Sequence, residues 1–273
     1  MHVSGLFLYP VKSLRGYAVP AAEIDALGFA GDRRFLVIDE AGKFQTQRQL
    51  TRMALVSTAI AHGTLTLSAE GAGHVSVPTA SDPAAPLHPV AVWKSEGLQA
   101  EDCGPAVAAW LSDFLRLKCR LVRIGEKFCR PVLKQAAQPG YTFSFADGSP
   151  ILVTSEASLA DLNDHFQETA GEPVPMDRFR PNLVITGCPA FAEDTWPRIR
   201  LGDVVLRAAG KSDRCIMTTT DQFTGVRGKE PLKTMATYRR DPALDPTAVY
   251  FGANFINQSK RGTVRVGDAV QLI

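Results

Sequence analysis

The sequence predicts a mostly β fold (α+β) of the barrel kind rather than a doubly wound sheet. Three observations lead there. Short apolar or alternating runs recur along the chain, glycine-bearing turns separate them, and only three segments carry helical spacing.

Strands are expected over residues 3–9, 34–39, 55–61, 64–68, 75–77 and 121–124. Glu40-Ala41-Gly42, His62-Gly63 and Glu70-Gly71-Ala72-Gly73 supply turns between them. Residues 79–89, "TASDPAAPLHP", read as an exposed connection. A helix is expected over 105–117, because apolar residues at 107, 110, 111, 114 and 115 share one face. Residues 151–154 form a strand that enters a second helix over 156–170. Ser155 is its N-cap, Leu159, Leu162 and Phe166 face inward, and Gly171 ends it. Strands follow at 183–186, 204–208, 216–219 and 264–272, with a short third helix at 231–239. The polar, proline-bearing stretch 126–140 marks a boundary between an N-terminal domain, 1–125, and a C-terminal domain, 126–273.

With 273 residues, 45% of them apolar and 21% charged, the chain has the composition of a soluble globular protein. A net charge of +2 provides no sequence-wide field for nucleic acid or a membrane surface, although a local anion site needs only a few focused cations. No apolar run reaches the roughly 18 residues of a membrane span, and "MHVSGLFLYPVKSLRG" reads as a strand and a basic loop rather than a signal peptide. A cytoplasmic location without a membrane anchor is the expectation. The five cysteines, at 103, 119, 129, 188 and 215, include no C-x-x-C pair, so neither a zinc ribbon nor an iron–sulfur cluster within this chain is expected. PLP is not expected either. The histidines, 2, 62, 74, 88 and 165, sit at the terminus, near turns or on a helix surface, which argues against a histidine-based site.

Five segments hold residue types suited to chemistry. In Tyr9-Pro10-Val11-Lys12-Ser13-Leu14-Arg15-Gly16 a strand ends in a loop whose ammonium, hydroxyl and backbone N–H groups suit an anion, or which is simply a basic hairpin. In Gly31-Asp32-Arg33-Arg34 alternation turns one arginine inward, towards a pocket or towards Asp32. Thr154-Ser155 open a helix, where free N–H groups attract anions and where a plain N-cap also belongs. Arg178-Phe179-Arg180-Pro181-Asn182 lead into a strand; an extended arginine fork and an amide suit an oxyanion or a heterocycle edge, or a strand margin. Finally, Arg214 beside Cys215 favours the thiolate, though a lone cysteine is more often a packing group.

Taken in order, "LYPVKSLRG", "GDRRFLVID", "DCGPAVAAWLSDFL", "LVTSEASLADLN", "FRPNLVITGCPAFAEDTW", "DRCIMTTTDQFTG", "FGANF" and "GTVRVGDAV" resemble the MOSC family, the molybdenum-cofactor sulfurase C-terminal domain, preceded by its N-terminal β-barrel partner. The resemblance covers essentially the whole chain and is closest to the subgroup of the mitochondrial amidoxime-reducing component and its bacterial counterparts. It implies a MOSC β-barrel with an N-terminal barrel-like subdomain and a molybdenum cofactor (Mo-molybdopterin). Cys215 falls at the metal-ligand position, and Lys12, Ser13, Arg33, Thr154, Ser155, Arg180, Asn182, Arg214 and Asn254 are its cofactor-binding candidates. Asp221 is a candidate on the catalytic, substrate-side edge. Asp213 stands where close relatives often have serine.

The implied reaction is two-electron reduction of small N-hydroxylated compounds (amidoximes, hydroxylamines, N-hydroxylated bases) with cleavage of the N–O bond. The chain stops at "GDAVQLI" without a ferredoxin-like module, so electrons are expected from a separate reductase, ferredoxin or b-type cytochrome. Two other readings use the same residues. One is a carrier that delivers the cofactor, or sulfur as a Cys215 persulfide; the other is a degenerate scaffold that only binds.

Overall fold

The computed structural model describes residues 1–132, 140–168 and 172–273. The fold is mostly β, as expected, with three α-helices among the described residues: α1 (Pro105–Leu115), α2 (Glu156–Glu168) and α3 (Leu232–Tyr238). The main sheet runs, in spatial order, Val270–Leu272, Arg198–Leu201, Val204–Asp213, Asp245–Asn257, Ile151–Ser155, Leu183–Thr186, His2–Leu8 and Tyr17–Ala18. Its neighbours pair antiparallel except Ile151–Ser155 with Leu183–Thr186. That parallel pair needs a crossover, and α2 lies within it.

Strand alternation sorts the side chains of this sheet. Ile151 and Val153 join Val3, Leu6, Leu183, Ile185, Leu206 and Phe255 in one buried core. Leu152 and Thr154 therefore take the other face. A four-stranded antiparallel sheet, Phe35–Asp39, Cys119–Arg123, Ser95–Asp102 and Leu87–Val92, and a meander, Ser57–Ala61, Thr64–Ala69 and Gly73–Pro78, form the other part of the molecule. The apolar face of α1 (Val107, Leu111, Phe114, Leu115) packs with Phe35, Val37 and Leu121. His62 and Gly63, at φ 48° and 72°, close the first meander turn, as a two-residue hairpin requires.

The halves interlock. His2–Leu8 pairs with Leu183–Thr186, so the first strand of the chain extends a sheet built otherwise from late residues. Of the stretch expected as a boundary, 126–140, residues 133–139 lie outside the described residues.

Several elements differ from expectation. Residues 216–219 form a 3-10 turn, not a strand, because the Thr218 hydroxyl donates to Cys215 O (3.0 Å) and the Thr219 hydroxyl to Ile216 O (2.8 Å). Such local partners compete with a ladder. The expected strand over 264–272 divides into Thr263–Arg265 and Val270–Leu272 around Gly267, whose φ is 94°. The connection over 79–89 yields its end to the strand Leu87–Val92. The expected strand over 55–61 begins at Ser57, after a 3-10 turn, Thr51–Leu55. Arg116 in the left-handed region (φ 56°) ends α1 early. The expected stop of α2 at Gly171 lies outside the described residues.

Candidate functional site

A cleft of about 720 Å³ opens between the two sheets, and its walls come from loops that leave strand ends. Eight cations line it (Lys12, Arg33, Arg48, Lys94, Arg130, Arg178, Arg180, Arg214) against two acids, Asp147 and Asp213. In a chain of net charge +2 this is a strong local concentration of positive potential, as a bound anion requires.

The first wall follows His2–Leu8. Pro10 turns the chain, Lys12 is buried, and its Nζ donates to Phe145 O (2.7 Å) and to the Asp147 carboxylate. Burial lowers the Lys12 pKa to about 8, against the pull of Asp147. Asp147 also accepts from Arg48 Nη2 (3.2 Å) and Trp93 Nε1 (3.0 Å). Desolvation opposes its ionisation, but Lys12 and Arg48 hold it well below the usual carboxylate range.

Ser13, Arg33 and Arg180 all line the cleft with left-handed backbones (φ 66°, 48° and 56°). Each such residue costs about 1–3 kcal/mol, a strain that persists where the surroundings fix a special geometry. Around Arg33 the surroundings do so. Its Nη1 donates to both Asp32 oxygens (2.9 and 2.7 Å) and to Asn182 Oδ1 (3.1 Å), while Nη2 donates to Arg180 O (3.2 Å). The Tyr9 ring lies 4.2 Å from Arg33 Cζ and 4.4 Å from Arg180 Cζ. Burial lowers the Arg180 guanidinium to about 10.

The strand Val204–Asp213 delivers Arg214 and Cys215 to the cleft. Arg214 donates to Phe179 O (2.7 Å) and Ser212 Oγ (3.0 Å), and burial pushes its pKa down. Cys215 is half-buried with an extended backbone. Burial opposes the charge on Arg48, yet Asp147 and Cys215 together hold it above its ordinary range. Cys215 shares the cleft wall with two guanidiniums, Arg48 and Arg214.

Of the residues singled out from sequence, the structure brings Lys12, Ser13, Arg33, Arg180, Asn182, Arg214, Cys215 and Asn254 to one cleft. It does not bring Thr154, Ser155 or Asp221 there. Thr154 shares the face of Leu152 but is wholly buried, with its hydroxyl on Met176 Sδ (3.3 Å). Ser155 caps α2: its Oγ accepts from Ser158 N (3.1 Å) and meets Ser158 Oγ (2.7 Å), which donates to Glu193 (2.7 Å). Asp221 sits in the next turn and holds Arg178 Nη2 (2.9 Å).

Sequence reasoning missed Arg48, Trp93, Arg130, Asp147 and Ser149. Only the Asp147-Gly148-Ser149 turn carries a local signal. Arg130, buried, donates to the carbonyls of Ser144 (2.9 Å), Ala146 and Asp147 (3.1 Å), and so shapes the Asp147 loop. Four buried donors of residues on the cleft wall have no partner among the described residues: Arg48 Nη1, Ser149 Oγ, Arg178 Nε and Arg214 Nε. Unmet donors are costly, and an anionic guest would satisfy them.

Comparison with known families agrees with this arrangement. A MOSC N-terminal beta barrel domain matches residues 1–118, and a MOSC domain matches residues 140–271. Mitochondrial amidoxime-reducing component 1 of Mus musculus is 39% identical across 99% of this chain and 82% of its own length. The Homo sapiens component 1 is 38% identical over the same shares, and component 2 of Bos taurus is 38% identical over 98% and 82%. The chain belongs to the MOSC proteins, in the family of the amidoxime-reducing components. Those relatives are named mitochondrial, which lends the expected cytoplasmic location no support. Among the described residues, no helix is long and apolar enough to cross a membrane.

Proposed function

We propose that the cleft holds a pterin-type molybdenum cofactor and that the chain uses it to reduce N-hydroxylated compounds. The substrate's N–OH group takes up two electrons and two protons, its N–O bond breaks, and water leaves. The observation that carries this reading is the convergence of eight cations, three of them with a buried donor unpartnered among the described residues, on a cleft with a thiol in its wall. That donor set fits an anionic, phosphate-bearing group, and the thiol fits a metal that favours sulfur. The names of the relatives support the reaction class.

In this reading Cys215 Sγ is the protein's metal ligand, in a cleft wall that it shares with Arg48 and Arg214. Lys12, Ser13, Arg33 and Arg180 oppose the anionic groups of the pterin. Asn182 is spent on the frame: its Oδ1 holds Arg33 and Leu152 N, and its Nδ2 donates to Phe7 O (3.2 Å). Leu152, Phe143, Phe179 and Met217 supply apolar wall that limits water. Bound molybdenum would supply the two-electron couple, while the protein sets position and electrostatics. Electrons come from a separate donor protein.

The test is molybdenum analysis of protein made in a cofactor-competent host, with a dye-coupled assay on an amidoxime and an N-hydroxylated purine. Stoichiometric metal with turnover supports the reading. Metal without reduction by any donor favours cofactor delivery through Cys215 instead.

A further inference from the structure

Trp93 and Lys94 form the two-residue turn between Leu87–Val92 and Ser95–Asp102, where Val92 and Ser95 pair. Trp93 has φ 56°, a conformation that such turns require and that asparagine or glycine usually supplies. A bulky aromatic is strained there, and nothing in the hairpin itself demands one. Nor does the core use it, since the residue is 47% exposed. The indole instead lines the cleft that holds Cys215.

Three contacts fix the ring. Nε1 donates to Asp147 Oδ1 (3.0 Å), Arg48 Cζ stands 4.6 Å from the ring centroid, and Phe44 meets it edge to face at 5.2 Å. The result is a rigid aromatic surface, half open, at the cleft and outside the set that opposes anions. Such a surface favours a guest with a flat π-face, which gains by stacking, over an aliphatic one, which does not.

We propose that Trp93 is the specificity-determining residue of the cleft, selecting substrates whose N–OH group is borne on a planar aryl or heteroaromatic system. The inference rests on the proposed function. The experiment compares the wild-type protein with Trp93→Ala and Trp93→Phe, each loaded and assayed for molybdenum. The readout is the ratio of kcat/KM for N-hydroxylated adenine to that for an aliphatic hydroxylamine. Adenine, the flat reduction product, is also titrated calorimetrically without turnover.

In Trp93→Ala the ratio falls about tenfold and adenine binding weakens by a similar factor, as the loss of one stacked base predicts. Trp93→Phe keeps most of both. An unchanged ratio, an equal loss on both substrates, or a loss explained by lower molybdenum content overturns the proposal. If the wild-type protein reduces neither substrate, the proposed function fails, and the adenine titration alone decides: equal binding by wild type and Trp93→Ala overturns the role of Trp93.

Discussion

Gln47 and Gln222 exchange two side-chain hydrogen bonds, each 3.0 Å, between the N-terminal and C-terminal domains. Their other amide protons go to Ser13 O (2.8 Å) and Thr220 O (3.0 Å), so both buried amides use all their donors. Arg227 adds bonds to the carbonyls of Gln47 and Arg48 (2.9 Å to the latter). This clasp holds Ser13 and Arg48 against the segment that follows Cys215. Gln222→Ala leaves the Gln47 amide unmet and lowers stability by about 1–3 kcal/mol. The Gln47→Leu/Gln222→Leu double variant loses less than the sum of the two single variants, as denaturant unfolding of the full cycle will show.

Lys12 predicts a pH dependence of cofactor retention. Its pKa, lowered by burial to about 8, means that the ammonium is charged below that pH and neutral above it. Retained molybdenum, measured after dialysis, therefore falls as pH rises through about 8. Lys12→Met retains little metal at any pH and shows no such step. Unfolding does not explain the loss. Between about 8 and the ordinary 10.5 the unfolded chain binds more protons, so this group makes the fold more stable as pH rises there.

Glu193 predicts a pH dependence of stability. It is wholly buried, Oε1 accepts from Ser158 Oγ (2.7 Å), and Oε2 has no partner among the described residues. Burial raises its pKa, with the Ser158 hydrogen bond opposing. A raised carboxyl pKa contributes stability below its ordinary 4.5, and that contribution is lost as pH rises through the folded-state value. The Tm of Glu193→Gln therefore declines less than that of the wild type as pH is raised from below 4.5 to neutrality.

Asp221 holds a loop. Oδ1 accepts from Phe223 N (2.9 Å), Thr224 N (2.8 Å) and Thr224 Oγ1 (3.0 Å), and Oδ2 from Arg178 Nη2. Desolvation opposes its charge, but the Thr224 and Phe223 N–H groups prevail and hold its pKa down. Asp221→Ala should cost about 1–3 kcal/mol in denaturant unfolding, because hydrogen bonds to a charged group are lost.

Local chemistry explains which features were legible in the sequence. The loops bearing Lys12, Arg33, Arg180 and Cys215 announce themselves by cations at strand ends, and amphipathic spacing marks α1 and α2. Ser155 carries a signature that an N-cap and an anion site share; the structure shows the N-cap, with Ser158 tied onward to Glu193. Residues 216–219 look like a strand by β-branching, yet their hydroxyls close a turn. The long strand Asp245–Asn257 escapes because Pro246, Gly252 and Asn254 interrupt its apolar pattern. Arg48, Arg130 and Asp147 have meaning only through partners that tertiary pairing brings together.

In the proposed function Cys215 supplies a sulfur ligand inside a cofactor-filled cleft. Molybdenum K-edge X-ray absorption on loaded wild-type protein and on loaded Cys215→Ala tests it most directly. One sulfur fewer around the metal in the variant, with the cofactor retained and turnover abolished, is the predicted result. An identical sulfur count in the two proteins would contradict the account.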